Sequence, residues 1–229
     1  MISTLMASIA VCMLILAGLA ARRRSAAGPA AALVAVICVG LAYDSGAVAI
    51  GRLLGFGSAL EAVNAPRFWI HAVFTPLLIV AAAALAARLG VTALARRAVR
   101  IAGGVLVTAL IALGVADDII ALRLEPRGYA DTLRYGNAAT AGPPIPAIVT
   151  MVVLVVIGVL VWRVARFPWL CLGALAMFAA AAAGAAHFWL GNVGELLLQL
   201  AVVATVARAA RAGADPALPQ PSQPPLQPA

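Results

Sequence analysis

The chain has 229 residues, of which 65% are hydrophobic and 10% charged, with a net charge of +8 and a mean hydropathy of +1.07. Ordinary soluble domains carry about a quarter charged residues, so water is excluded as the main solvent and a lipid bilayer is the partner that composition demands. The positive charge does not indicate nucleic acid, because it lies in short arginine clusters between apolar runs rather than on a polar surface with interleaved aromatics.

All sixteen basic residues are arginine, so no lysine is present to form a Schiff base. Cys12, Cys38 and Cys171 each lie inside an apolar run without a C-x-x-C pair, and read as small buried hydrophobes. No basic residue precedes the first apolar run as a signal peptide requires, so this run is expected to remain as a membrane span.

The apolar pattern predicts an all-α, polytopic membrane bundle of about seven spans, occupying residues 1–211. The first span covers 3–21 and ends at Arg22, Arg23 and Arg24; the second covers 29–50, with Pro29 in its first turn and Asp44 in its far third. Ser58 and Glu61 have the S-x-x-E spacing of a capping box, which predicts a short interfacial helix before Pro66. A third span at 67–89 carries Arg67, His71 and Thr75 on one face.

The fourth span, 101–122, ends in the adjacent pair Asp117 and Asp118, which point about 100° apart on a helix, so at most one faces the bundle. A polar loop containing Tyr129 and Tyr135 follows and is long enough to cover the bundle end. The fifth span is 145–162, and the sixth is 168–189, reaching His187 and Trp189. The seventh is 192–207, where Asn192 and Glu195 have N-cap and N3 spacing. A Pro-rich tail over 212–229 lacks the composition to build a core and reads as disordered and cytoplasmic.

Arg22, Arg23, Arg24, Arg88, Arg96, Arg97, Arg100, Arg163, Arg166, Arg208 and Arg211 fall at one end of this topology. Arg52, Arg67, Arg123, Arg127 and Arg134 fall at the other. The positive-inside rule therefore places the N-terminus outside and the C-terminus inside, in a bacterial-type plasma membrane.

With that topology, the ionisable residues within the spans gather in the outer half: Asp44, Arg67, His71, Asp117, Asp118, His187 and Glu195, with Asn192 beside them. Charges at bilayer depth are costly and usually face one another or a cavity. These eight residues are the candidate ligand-binding set for a lipid, cation or small molecule. His71, His187, Asp44 and Glu195 are the candidate ligands of a divalent metal, and His71 with His187 would be the axial pair of a haem.

In number of spans the chain resembles the rhodopsins and the seven-span, metal-dependent lipid hydrolases. The missing lysine excludes a retinal Schiff base. The hydrolase resemblance implies metal-activated water attacking a lipid or amphiphile at the outer leaflet. A binding or transport protein and a structural or assembly component are the competing readings.

Overall fold

In the computed structural model, residues 1–139, 142–184 and 187–214 are described. The helices are α1 (Ile2–Ala21), α2 (Arg24–Ala27), α3 (Pro29–Ala49), α4 (Gly51–Leu54), α5 (Ser58–Arg88), α6 (Arg97–Val115), α7 (Ile145–Ala165), α8 (Trp169–Ala183) and α9 (Trp189–Ala214). A 3₁₀ turn, Thr92–Ala95, precedes α6, and a π-helical turn, Ala116–Ile120, extends it. Two strands, β1 (Leu124–Tyr129) and β2 (Thr132–Asn137), stand between α6 and α7.

The protein is an all-α polytopic membrane bundle carrying one small hairpin. Among the described residues, α1, α3, α5, α6 with its π turn, α7 and α9 are long and apolar enough to cross a bilayer. The expected sixth span is shorter than the sequence suggests: α8 has 15 residues, about 22 Å of helix against a hydrocarbon core of about 30 Å. It still joins the two ends of the bundle, since Val164 before it lies beside Gly90 and His187 after it meets Tyr129 of the hairpin.

Several other boundaries differ from the sequence reading. Pro66 does not open a new span, because α5 runs continuously from Ser58 to Arg88 with Pro66 and Pro76 inside it. The lost amide of Pro66 frees the carbonyl of the exposed Ala62, at a level where other partners can satisfy it.

The expected capping box is also absent: Gly57 is the N-cap, at φ 148°, and no side chain caps the helix. That backbone region favours glycine. Finally, α9 starts at Trp189, so Asn192 is an interior helical residue rather than a cap. Residues 212–214 extend α9, and the rest of the expected 212–229 tail lies outside the described residues.

α3 is central, packing on α1, α5 and α9; α5 also meets α6 and α7, and α8 lies against α7 and α9. Lipid is as apolar as leucine, so close backbone approach replaces the hydrophobic effect in holding such helices together. At the α7–α8 crossing, a Cβ on Gly158 would stand 2.5 Å from the Cys171 nitrogen, so only glycine fits there. Large apolar residues such as Val11, Ile15, Val36, Val152 and Val156 are more than half exposed or nearly so and present the bundle's outer surface to lipid.

The hairpin pairs Leu124 with Asn137 through Tyr129 with Thr132, turning at Ala130 and Asp131. Its tip holds the start of α1: Asp131 accepts hydrogen bonds from the Met1 amino group and, at 2.7 Å, from the Ile2 N–H. Those contacts hold the exposed Asp131 carboxyl down at about 2, the Met1 hydrogen bond being the largest cause. Asp131 also places a negative charge at a helix N-terminus, where the macrodipole favours it. The opposite end of the bundle carries the arginine clusters, with Arg88 donating to the Ala26 carbonyl and lying beside Gly213.

Candidate functional site

The polar side chains at the hairpin end meet where α3, α5 and α9 converge. Asp44, 1% exposed, is the centre: its Oδ1 accepts from Arg67 Nε at 2.8 Å and its Oδ2 accepts from Asn192 Nδ2 at 2.9 Å. His71 Nε2 lies 3.2 Å from the same Oδ1. Asn192 Nδ2 also reaches Ser45 Oγ at 3.4 Å. One carboxylate from α3 therefore ties together two residues of α5 and one of α9, as expected for a charge that must find partners in an apolar medium.

Arg67 links this centre to the hairpin. Its Nη1 donates to Asn64 Oδ1 at 2.8 Å, and the same oxygen accepts from the Tyr135 backbone N–H at 3.2 Å. Asn64 Nδ2 turns back to the Leu60 carbonyl at 2.9 Å, so the fully buried amide is satisfied on both sides. The Tyr135 hydroxyl accepts from the Gly57 N–H at 3.1 Å, which fixes β2 over the start of α5.

On the other side of His71, Nδ1 stands 3.7 Å from Glu195 Oε1. His71 thus lies between two carboxylates, one on α3 and one on α9. The side chains are 36% exposed for His71, 15% for Glu195 and 1% for Asp44, so access runs from the histidine and Glu195 side and stops at Asp44. Nε2 therefore faces Asp44 and Nδ1 faces Glu195, one ring nitrogen toward each carboxylate.

A cavity of about 290 Å³ adjoins this pair. His71, Thr75, Glu195 and Gln199 supply its polar lining, and residues such as Ile37, Phe74, Leu78, Met151 and Leu198 supply the remainder. Gln199, fully buried, accepts from Cys38 Sγ at 3.6 Å through Oε1. Phe178, Ala181 and Ala182 at the α8 side of the cavity are exposed, so it reaches from the lipid-facing flank inward to the buried Gln199.

Five of the eight candidate residues therefore converge: Asp44, Arg67, His71, Asn192 and Glu195. Asp118 is half-buried at the end of α6 and Asp117 is exposed, its carbonyl accepting from Asn137 Nδ2 at 3.2 Å. His187 is engaged elsewhere. Its Nδ1 is 2.8 Å from the Tyr129 hydroxyl, and its ring packs near Trp189. Tyr129 meets Phe188 edge to face, and the Arg134 guanidinium lies 4.2 Å above that ring. Burial, with Arg67 and Arg127 nearby, pushes Arg134 down to about 10, which leaves it cationic at neutral pH. Among the described residues, no three His, Cys, Asp or Glu side chains are arranged to hold a metal ion.

Asn64 belongs to the cluster without having been expected there, and Gln199, which shares a polar stripe with Asn192 and Glu195 in the sequence, lines the cavity beside it. Their signal was spacing: Asn64 precedes Arg67 by three residues and Gln199 follows Glu195 by four, each completing a polar stripe on one helix face. Comparison with protein-family models, with curated proteins and with solved structures gave no match.

Proposed function

We propose that the protein binds a small amphiphilic molecule in the outer half of its membrane bundle, with its polar end beside His71, Glu195 and Gln199. The observation that carries this reading is the cavity of about 290 Å³, apolar along most of its wall and polar where His71, Glu195 and Gln199 line it. Such a combination, an apolar slot with a few convergent polar groups, is the usual form of a small-molecule site. The positive-inside rule assigns the hairpin end to the outer face of a bacterial-type plasma membrane, which the ligand would reach from the outer leaflet.

The cluster divides by function. Asp44, Arg67, Asn64 and Asn192 satisfy one another and act as a fixed polar clasp joining α3, α5, α9 and the hairpin. His71, Glu195, Gln199 and Thr75 line the cavity and form the binding part. The structural reading sought from the sequence thus describes the clasp, whereas the ligand reading describes the cavity. The metal-dependent hydrolase and haem readings both draw on His187, and its pairing with Tyr129 gives them no comparable support.

Filling the cavity tests the proposal. Thermal unfolding of the purified protein is measured against a series of short-chain amphiphiles, for the wild type and for Ala147→Phe, which adds a ring to the cavity wall. A saturable rise in midpoint for the wild type, lost in the variant, is the expected outcome of ligand linkage. An equal rise in both proteins contradicts binding at this cavity.

A further inference from the structure

Two buried polar atoms of the cavity-lining residues have no partner among the described residues: Glu195 Oε2 and Gln199 Nε2. They belong to side chains four residues apart on α9, on one face and one turn apart. A carboxylate oxygen accepts, whereas an amide nitrogen only donates, and Gln199 Oε1 is already occupied by the Cys38 thiol. Leaving either atom bare in an apolar interior is unfavourable, so the pair specifies what would complete it.

Resting on the amphiphile-binding reading above, we infer that the ligand is an amphiphilic alcohol whose hydroxyl donates to Glu195 Oε2 and accepts from Gln199 Nε2. Residues four apart on a helix hold their Cβ atoms about 5–6 Å apart. Side chains so placed can both turn to one small group, and a single hydroxyl oxygen donates to one atom and accepts from the other. A carboxylate head would bring two acceptors together at Glu195, and an ammonium would leave the Gln199 N–H group facing another donor. A quaternary ammonium or a hydrocarbon offers the Gln199 N–H nothing to bond. A primary amide carries its donor and acceptor on two separate atoms and must orient both at once, where a hydroxyl needs a single oxygen. The body of the alcohol is hydrocarbon, because Ile37, Leu41, Phe74, Leu78, Met151 and Leu198 line the rest of the cavity.

The test uses the full chain in lipid nanodiscs and a ten-carbon alcohol bearing a mid-chain photoreactive diazirine. Labelled peptides containing Met151 or Met177, both on the cavity wall, are quantified by mass spectrometry. The competitors are 1-decanol, decane, decanoate, decanamide and decyltrimethylammonium, compared at equal concentration in the bilayer.

Decanol is expected to compete at least about tenfold better than the others, the range set by one or two buried hydrogen bonds. Gln199→Leu and Glu195→Leu should each abolish that preference while a purely hydrocarbon photoprobe still labels the same peptides. Glu195→Gln, which keeps a carbonyl acceptor, should retain it. Either Leu variant alone suffices if the other fails to fold. Equal competition by decanol and decane, as for a polar end filled by water, overturns the hydroxyl assignment, and so does any other head group that competes better. Those outcomes leave the amphiphile reading standing. No saturable labelling of the cavity by any probe overturns both.

Discussion

Arg67 Nε donates to Asp44 Oδ1 at 2.8 Å, joining α5 to α3 inside the apolar part of the bundle. The Asp44 side chain is 1% exposed and that of Arg67 12%, so the pair is isolated from water and each charge depends on the other. Removing Arg67 leaves Asp44 buried with Asn192 and His71, and removing Asp44 leaves Arg67 with only the neutral Asn64, so each loses its closest counter-charge.

Asp44→Asn and Arg67→Met are therefore each expected to destabilise the folded protein by about 3–5 kcal/mol. The double variant should lose less than the sum, because no uncompensated charge remains. A thermal or denaturant double-mutant cycle in detergent measures the coupling. Simple additivity would show that the two side chains do not depend on each other.

The hairpin tip gives a pH dependence with a definite sign. Asp131 is held at about 2 in the folded protein against an ordinary value of 3.8. Its contribution to docking the hairpin on α1 is present above the ordinary value and is lost as pH falls through the folded one. Protection factors for hydrogen exchange at the β1 and β2 amides, taken against the intrinsic rate at each pH, should fall between about pH 4 and pH 2, and Asp131→Asn should remove most of that dependence. An unchanged profile in Asp131→Asn would assign the acid sensitivity to another group.

Gly158 sets the approach of α7 to α8. Any side chain there meets the Cys171 backbone nitrogen at 2.5 Å, and backbone cannot yield as a flexible side chain does. Gly158→Ala is expected to cost about 1–3 kcal/mol by overpacking, read as a lower midpoint of thermal unfolding. Gly103→Ala, where an added Cβ meets nothing within 4 Å, is the matched control and should be near neutral or slightly stabilising.

Much of the architecture was legible because the bilayer imposes its own length on apolar runs. The candidate site was legible for a related reason: ionisable residues such as Asp44, His71 and Glu195 stand out in spans that tolerate few charges. The hairpin was not legible, since Pro126 and Gly128 interrupt β1 and its side chains show no alternation. Pro66 read as a boundary by rules from soluble helices, yet it lies within α5. Asn192 read as a cap by local spacing, and its actual partner, Asp44, is 148 positions away in sequence. His187 shows the limit of depth alone: the sequence puts it at the level of the cluster, but its ring pairs with Tyr129 instead.

What the cavity holds when the protein leaves its membrane decides whether it is a binding site. The wild type and Ala147→Phe are purified in parallel, and their small-molecule extracts are compared by mass spectrometry after exhaustive detergent exchange. An amphiphile is expected in near-equal amount to the wild-type protein and depleted from the filled variant. Identical extracts from two equally folded proteins would rule out binding in this cavity.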